Sequence, residues 1–113
     1  MKIAICYFSA TGRTEAMAGA LEAGIRRQAP DCEVKRFHID FLDAAHPENI
    51  AFVNAADGVL FGTPDYYAAE SWQMKHWLDT CPCKLAGKLG GVFATANVPV
   101  GGPGLAIEHI LTH

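Results

Sequence analysis

The chain has 113 residues, of which 50% are hydrophobic, 19% charged and 10% aromatic. This length predicts a single domain, residues 1–113, with an adequate core, and the composition excludes disordered, collagen-like and coiled-coil chains. The net charge of −3 argues against a nucleic-acid-binding protein, because such proteins concentrate Lys and Arg against phosphates.

The apolar runs are too short for a membrane-spanning helix, which needs about 18 or more apolar residues. The short apolar start is followed by a turn and not by a cleavage site, so it indicates a strand and not a signal peptide. Cys81 and Cys83 are the one close cysteine pair, and their spacing matches neither a C-x-x-C redox motif nor a zinc site. We therefore expect reduced thiols in a cytoplasmic protein without a membrane partner.

Short β-branched and aromatic runs alternate along the chain with helical stretches, which is typical of a parallel sheet with crossover helices. The pattern predicts an α/β fold with strands at residues 3–8, 32–39, 59–62 and 89–96. It predicts helices after residue 14 to about residue 29, over 49–56 and 69–80, and from 105 to the C-terminus. In the first helix Met17, Leu21 and Ile25 recur at four-residue spacing and predict its apolar face.

Three distinctive loops leave the carboxyl ends of these strands, at residues 9–14, 63–68 and 95–104. Open α/β sheets bind ligands at this edge. The first loop places three hydroxyls and a glycine at the start of a helix, where unpaired N–H groups and the helix dipole attract anions. Helix capping alone needs only one such residue, so we predict a phosphate site.

Two other phosphate-binding motifs do not fit this loop. The Walker pattern G-x-x-x-x-G-K-S/T is absent from the sequence. Cys6 and Arg13 suggest the loop of a tyrosine phosphatase, but six residues separate them where that family has five, and Cys6 lies inside the first strand.

The second and third loops favour a planar ligand. Tyr66 and Tyr67 follow Thr63 and Pro64 and are suited to stacking, although one Tyr in the core and one on the surface is the alternative interpretation. The third loop has few side chains for acid–base chemistry, but its glycines let the main chain approach a ligand closely. The three loops predict a site for a planar phosphorylated cofactor, without catalytic side chains or metal ligands.

At these loops the sequence resembles the flavodoxin-like FMN proteins, and among them it is most similar to the WrbA-type NAD(P)H:quinone oxidoreductases. Residues 9–14 match the flavodoxin phosphate loop S/T-x-T-G-x-T in full. The remaining matches to the WrbA pattern are Gly62-Thr63-Pro64, Gln73-Met74-Lys75, Leu78-Asp79, Gly87-Lys88 and Gly91-Val92-Phe93. The resemblance extends over essentially the whole chain.

The resemblance implies FMN as the cofactor, NAD(P)H as a candidate electron donor, and an open parallel sheet of order 2-1-3-4. The fifth strand and last helix of the complete flavodoxin fold are absent from this sequence. By resemblance, the phosphate is held by Ser9, Ala10, Thr11, Gly12, Arg13 and Thr14. One side of the isoalloxazine is lined by Thr63, Pro64, Asp65, Tyr66 and Tyr67. The other side and the ribityl chain are lined by Thr95, Ala96, Asn97, Gly101 and Gly102.

The sequence also departs from the WrbA pattern. Ala68-Ala69 stand where Gly-Asn is usual, and Val98-Pro99-Val100 replace a more polar run, both on the expected substrate side of the flavin. His76 and His109 fall within predicted helices, so we interpret them as structural or surface residues and not as proton donors.

The length has a further implication for assembly. With the last helix absent, crossover geometry predicts a bare sheet face over the third and fourth strands. We expect this face to be formed by Val59, Leu60, Phe61, Val92 and Phe93. Because monomers rarely expose so large an apolar patch, we expect either that the protein continues beyond His113 or that a partner chain covers it, as in a homo-oligomer.

The expected function is that of an FMN-dependent redox protein, specifically an NAD(P)H:quinone-type oxidoreductase. Flavodoxin carriers tend to be strongly acidic, and the mild charge of −3 favours a reductase. Two alternatives stay open: a flavodoxin-type electron carrier with a protein redox partner, and a non-catalytic flavodoxin-like binding module.

Overall fold

The computed structural model describes residues 1–98 and 101–113. Its strands are β1 (Lys2–Tyr7), β2 (Glu33–His38), β3 (Gly58–Pro64) and β4 (Leu89–Thr95). Its helices are α1 (Arg13–Gln28), α2 (Pro47–Ala55), α3 (Trp72–Asp79) and α4 (Gly102–Leu111). Within these described residues, no helix is long and apolar enough to cross a membrane.

The four strands form one parallel sheet in the order β2-β1-β3-β4. This confirms the predicted α/β class and strand order. In the central strand β1, Ala4, Ile5 and Cys6 are fully buried, because helices cover both faces of the sheet at this position.

Two apolar layers lie on opposite faces of the sheet. On one face Ala18 of α1 packs with Ile5 and Val34 of the sheet. On the other face α2, α3 and α4 contribute a larger cluster that includes Val53, Met74 and Ile110. Burying a large apolar side chain stabilises the fold by about 1.5–3 kcal/mol, so these layers hold the strand ends and their loops in place.

The predicted bare patch over β3 and β4 is wrong in its composition. Val59, Phe61 and Val92 belong to the cluster that α2, α3 and α4 cover. Only Leu60 and Phe93 lie on the α1 side, because successive side chains of a strand point to opposite faces. There each covers a glycine of the neighbouring strand: a Cβ at Gly91 would collide with Leu60, and one at Gly62 with Phe93.

Two helices begin at positions that differ from the sequence prediction. Helix α3 begins at Trp72 and not at residue 69, because Ser71 caps it by accepting a hydrogen bond from the Met74 N–H at 3.2 Å. Helix α4 begins at Gly102 and not at residue 105, with Pro103 in its first turn. Gly102, expected in a loop, is therefore the first residue of a helix, whereas Pro99 and Val100 lie outside the described residues.

Candidate functional site

In the loop between β1 and α1, the hydroxyl of Ser9 bonds main-chain N–H groups further along the same loop. Ser9 Oγ accepts hydrogen bonds from the N–H groups of Gly12 at 3.0 Å and Glu15 at 3.3 Å. Gly12, immediately before α1, has a φ of 93°, in the left-handed region that favours glycine. The loop thus surrounds the first N–H groups of α1, where the positive end of the helix dipole lies.

His38, at the end of β2, supports this loop and was not identified from the sequence. Its Nε2 lies 3.2 Å from both the N and the O of Ser9, and its Nδ1 accepts a hydrogen bond from the Asp40 N–H at 3.2 Å. The imidazole therefore contacts both main-chain polar groups of Ser9 and joins the end of β2 to the first loop. Ser9 and His38 are 29 residues apart, and no local pattern indicates their contact.

The second loop is a tight turn with an unusual backbone. The main-chain groups of Tyr66 and Ala69 bond each other at 2.9 and 3.2 Å. The central residues Tyr67 and Ala68 have φ values of 54° and 64°, which are uncommon for residues other than glycine. Tyr66 is 40% exposed and Tyr67 is fully exposed, so neither tyrosine is a core residue.

The buried hydroxyl of Thr63 joins the two ends of the second loop by hydrogen bonds. Thr63 is fully buried, its hydroxyl donates to the Pro64 carbonyl at 2.8 Å, and the same hydroxyl accepts from the Ser71 N–H at 3.0 Å. The Asp65 N–H donates to the Thr95 carbonyl at 2.8 Å and so fastens the second loop to the end of β4.

The third loop contacts both of the others. The hydroxyls of Thr95 and Thr14 lie 2.8 Å apart. The Asp65 carboxylate packs against Gly102 at the start of α4, so closely that a Cβ there would collide with Asp65 Oδ2. Asp65 Oδ1 is buried and, among the described residues, has no hydrogen-bond partner. A buried oxygen in this state favours a ligand that brings a donor.

A cavity of about 400 Å³ lies between the three loops. All of its lining residues are among the predicted site residues: Ser9, Ala10, Thr11, Arg13, Thr14, Pro64, Asp65, Tyr66, Thr95, Ala96 and Asn97. The other predicted residues do not line it. Thr63 lies beneath, Tyr67 is fully exposed, Gly12 precedes α1, and Gly101 and Gly102 form the start of α4.

A buried tyrosine and a carboxylate lie beside the first turn of α1, in the lining of a separate cavity. The Tyr7 hydroxyl donates to Glu15 Oε1 at 3.1 Å. Burial raises the pKa of Tyr7, the contact with Glu15 raises it further, and Arg36 opposes the shift. Tyr7 therefore stays neutral at physiological pH and holds Glu15 in the first turn of α1.

The cavity residues suit the parts of FMN. The start of α1, with the hydroxyls of Ser9 and Thr11, can receive a phosphate; Tyr66 offers an aromatic surface; and Asp65 Oδ1 can accept from a ring N–H. The volume falls within the roughly 300–1,000 Å³ typical of ligand sites. A second cavity of about 420 Å³ lies beside α3, but Asp40 and Asp43 in its lining repel a phosphate.

Comparisons with known proteins identify the family of this chain. The family model described as NADPH-dependent FMN reductase matches residues 1–110. A flavodoxin from Clostridium saccharobutylicum is 43% identical over 114 residues, spanning 100% of this chain and 67% of that protein. An NAD(P)H dehydrogenase (quinone) from Afipia carboxidovorans is 27% identical over 129 residues, spanning 99% of this chain and 65% of that protein.

The chain thus spans about two thirds of the length of these curated relatives. Among solved structures, a flavodoxin from the domain Archaea superposes with a TM-score of 0.76 at 22% identity, over 99% of this chain and 74% of that one. That likeness confirms the fold predicted by resemblance. The chain belongs to the NADPH-dependent FMN reductase family and has the flavodoxin-like fold of FMN-binding redox proteins.

Proposed function

We propose that this protein is an FMN-dependent oxidoreductase that takes electrons from NAD(P)H and transfers them to a quinone-type acceptor. The observation that carries the proposal is the cavity at the carboxyl edge of the sheet, into which three loops bring hydroxyls, an aromatic side chain and a buried acceptor. The family match and the quinone dehydrogenase relative support the choice of donor and acceptor.

In this proposal each loop holds a different part of FMN. The N–H groups of Gly12 and Glu15, which bond Ser9 Oγ, would also donate to the phosphate, because a phosphate oxygen is a stronger acceptor than a hydroxyl. Tyr66 would pack against the ring, and Asp65 Oδ1, which is buried without a partner among the described residues, would accept from a ring N–H. FMN supplies the one- and two-electron chemistry, and the protein orients it and sets its potential.

A flavodoxin-type electron carrier is the second candidate. The Clostridium saccharobutylicum relative, at 43% identity, is a flavodoxin, and it shares more identical residues with this chain than the quinone dehydrogenase does. Tyr67, fully exposed at the tip of the second loop, is placed where a protein redox partner could contact it.

The first experiment is a titration of the purified protein with FMN and with riboflavin, followed by flavin fluorescence. We expect FMN to bind at least about 100-fold more tightly, because riboflavin lacks the phosphate. Thr11→Ala should weaken FMN binding and leave riboflavin binding unchanged. Thr112→Ala, a matched loss of a hydroxyl at the end of α4, should change neither. Failure to bind either flavin would favour the non-catalytic module.

The second experiment separates reductase from carrier. The holoprotein is mixed with NADPH and a soluble quinone, and the oxidation of NADPH is followed by absorbance. Multiple turnovers support the reductase. Absence of turnover, together with reduction of the bound flavin by a flavodoxin reductase, supports the carrier.

We also propose a cytoplasmic homo-oligomer. The four free cysteines suit a reducing compartment. Leu89, 69% exposed at the start of β4, and the partly buried Leu60 offer an apolar contact on the α1 side. Light scattering should give a mass above that of one chain, which Leu89→Lys should reduce to the monomer; a monomeric wild-type protein would contradict the assembly. Cell fractionation tests the compartment.

A further inference from the structure

Three thiols lie in one region of the fold, on the sheet face covered by α2, α3 and α4. Cys6 of β1 is fully buried in the apolar cluster, and Cys81 and Cys83, in the segment after α3, pack against that cluster while staying partly exposed. Cys32, between α1 and β2, is partly exposed and separate from this group. The four cysteines are free.

The chain folds back around the sulfur of Cys81. The Cys83 N–H donates a hydrogen bond to Cys81 Sγ at 3.4 Å, and the Cys81 thiol, when protonated, donates to the Cys83 carbonyl oxygen at 3.5 Å. A main-chain N–H directed at sulfur stabilises a thiolate, because it places positive charge against the ion. This contact distinguishes the two thiols, because the main-chain N–H of Cys83 is directed at the sulfur of Cys81.

The pKa values of the two thiols are shifted in opposite directions. A hydrogen bond from the Cys83 thiol lowers the pKa of Cys81 to about 7; burial opposes the shift, and the Cys83 N–H and His113 add to it. That bond and burial raise the pKa of Cys83, and burial raises the pKa of Cys6.

We propose that Cys81 is a nucleophilic thiol that reacts with low-molecular-weight disulfides, and that Cys83 is its resolving thiol. This site is distinct from the cofactor cavity, whose lining includes neither residue. Among the described residues, no three His, Cys, Asp or Glu side chains lie close enough together to hold a metal ion.

The exchange takes two balanced steps. The Cys81 thiolate attacks one sulfur of a disulfide RS–SR, an S–S bond forms between Cys81 and that sulfur, and RS⁻ leaves. The Cys83 thiol then gives its proton to solvent and attacks Cys81 Sγ, which expels the second RS⁻. Two protein thiols are oxidised to a disulfide, and one RS–SR is reduced to two thiols.

The spacing permits the resolving step. Residues separated by one position lie at most about 7 Å apart at Cα, and disulfides bridge Cα separations of about 4.4–6.8 Å. The contacts of Cys81 Sγ with both main-chain polar groups of Cys83 show that the segment is already folded around the sulfur. Cys6, with no exposed surface, is unsuited to attack an external disulfide first.

The test treats the reduced full-length protein with excess glutathione disulfide at pH 7, followed by an acid quench, trypsin and mass spectrometry. Trypsin releases residues 76–84 as a peptide whose only cysteines are Cys81 and Cys83. In the wild-type protein we expect this peptide to lose two hydrogens, at a rate at least about tenfold above glutathionylation of Cys32, because the Cys83 N–H is directed at Cys81 Sγ and Cys83 is adjacent to resolve the mixed disulfide.

Variants assign the two roles. Cys83→Ser should retain one glutathionyl group on Cys81, whereas Cys81→Ser should leave residues 76–84 unmodified on the same timescale. Cys32→Ser, the matched control, should behave as wild type. The proposal is overturned if the wild-type peptide 76–84 stays reduced while Cys32 reacts, or if the disulfide joins Cys6 to either residue. The wild-type peptide map decides this even if a serine variant folds poorly.

Discussion

The hydroxyls of Thr14 and Thr95 lie 2.8 Å apart and join the first turn of α1 to the last residue of β4. The two residues are 81 positions apart in sequence, and both line the cavity between the loops. Their contact holds the predicted phosphate loop at a set distance from the loop on the opposite side of the site.

Thr95→Val should therefore weaken FMN binding by about tenfold and lower the free energy of unfolding by about 1 kcal/mol, the typical contribution of one hydrogen bond. Flavin titration and urea denaturation measure the two effects. Thr80→Val is the control, because the Thr80 hydroxyl bonds the His76 carbonyl at 2.8 Å outside this cavity. If adding Thr95→Val to Thr14→Val weakens binding by a further tenfold, the two hydroxyls act independently and the contact is unimportant.

Ala68 has a backbone conformation that glycine would adopt more easily. At a φ of 64°, the backbone of an L-residue is strained by about 1–2 kcal/mol, and glycine would relieve this strain. Glycine also has more conformational freedom in the unfolded chain, which lowers the stability gained by about 0.5–1 kcal/mol. Ala68→Gly should therefore raise the free energy of unfolding by about 0.5–1 kcal/mol in urea denaturation. Ala20→Gly, on the exposed side of α1, should lower it by about 1 kcal/mol. A loss of stability in both variants would show that the turn is not strained.

Asp65 should lower the reduction potential of bound FMN. Its carboxylate lines the cavity, and a negative charge opposes the gain of negative charge on reduction. Asp65→Asn keeps an oxygen acceptor but removes the charge, so the midpoint potential should rise by tens of millivolts, about 30 mV for each 1.4 kcal/mol in a two-electron couple. Asp31→Asn loses the same charge in the turn after α1 and should leave the potential unchanged. An unchanged potential in Asp65→Asn would place the carboxylate away from the flavin.

The hydroxyl of Tyr7 should ionise at a higher pH than that of a tyrosine in water. Burial and the bond to Glu15 raise its pKa above the ordinary value of about 10. Because the folded-state pKa exceeds the unfolded value, the stability linked to Tyr7 is fully present below about pH 10 and is lost as pH rises through the folded pKa. Tyrosinate absorbance is measured against pH for the wild-type protein and for Tyr7→Phe, and the difference between the two titrations gives the ionisation of Tyr7.

A second variant separates the two causes of that shift. Glu15→Gln removes the carboxylate charge but leaves Tyr7 buried, so the pKa of Tyr7 should fall only part of the way towards its ordinary value. If Tyr7→Phe instead removes an ionisation with an ordinary pKa, the hydroxyl is solvated and the contact with Glu15 is not maintained.

Much of the fold was predictable because its signals are local. Apolar β-branched runs marked the four strands, and the hydroxyl-rich residues 9–14 marked the first loop. The starts of α3 and α4 were less predictable. Ser71 caps α3 two residues after the turn at Tyr66–Ala69, and Pro103 lies in the first turn of a helix that starts in a glycine-rich stretch.

The predicted bare patch over β3 and β4 was wrong because the sequence does not show which face of the sheet each side chain occupies. Val59, Leu60 and Phe61 form one apolar run, so their hydrophobicity alone did not assign a face to each. The alternation of side chains and the position of the helices decided that Val59 and Phe61 join one cluster and Leu60 the other. The predicted patch combined residues from both faces.

The sequence by itself determined which three loops carry the hydroxyls, the tyrosines and the glycines, because those residue types and their spacing are local properties of the chain. Only the tertiary structure decided which of these side chains line a common cavity. It placed Tyr66 in the lining and Tyr67 outside it, Thr63 beneath the loop, and His38 against Ser9. These placements depend on backbone dihedral angles and on contacts across tens of residues, for which a single sequence has no local signal.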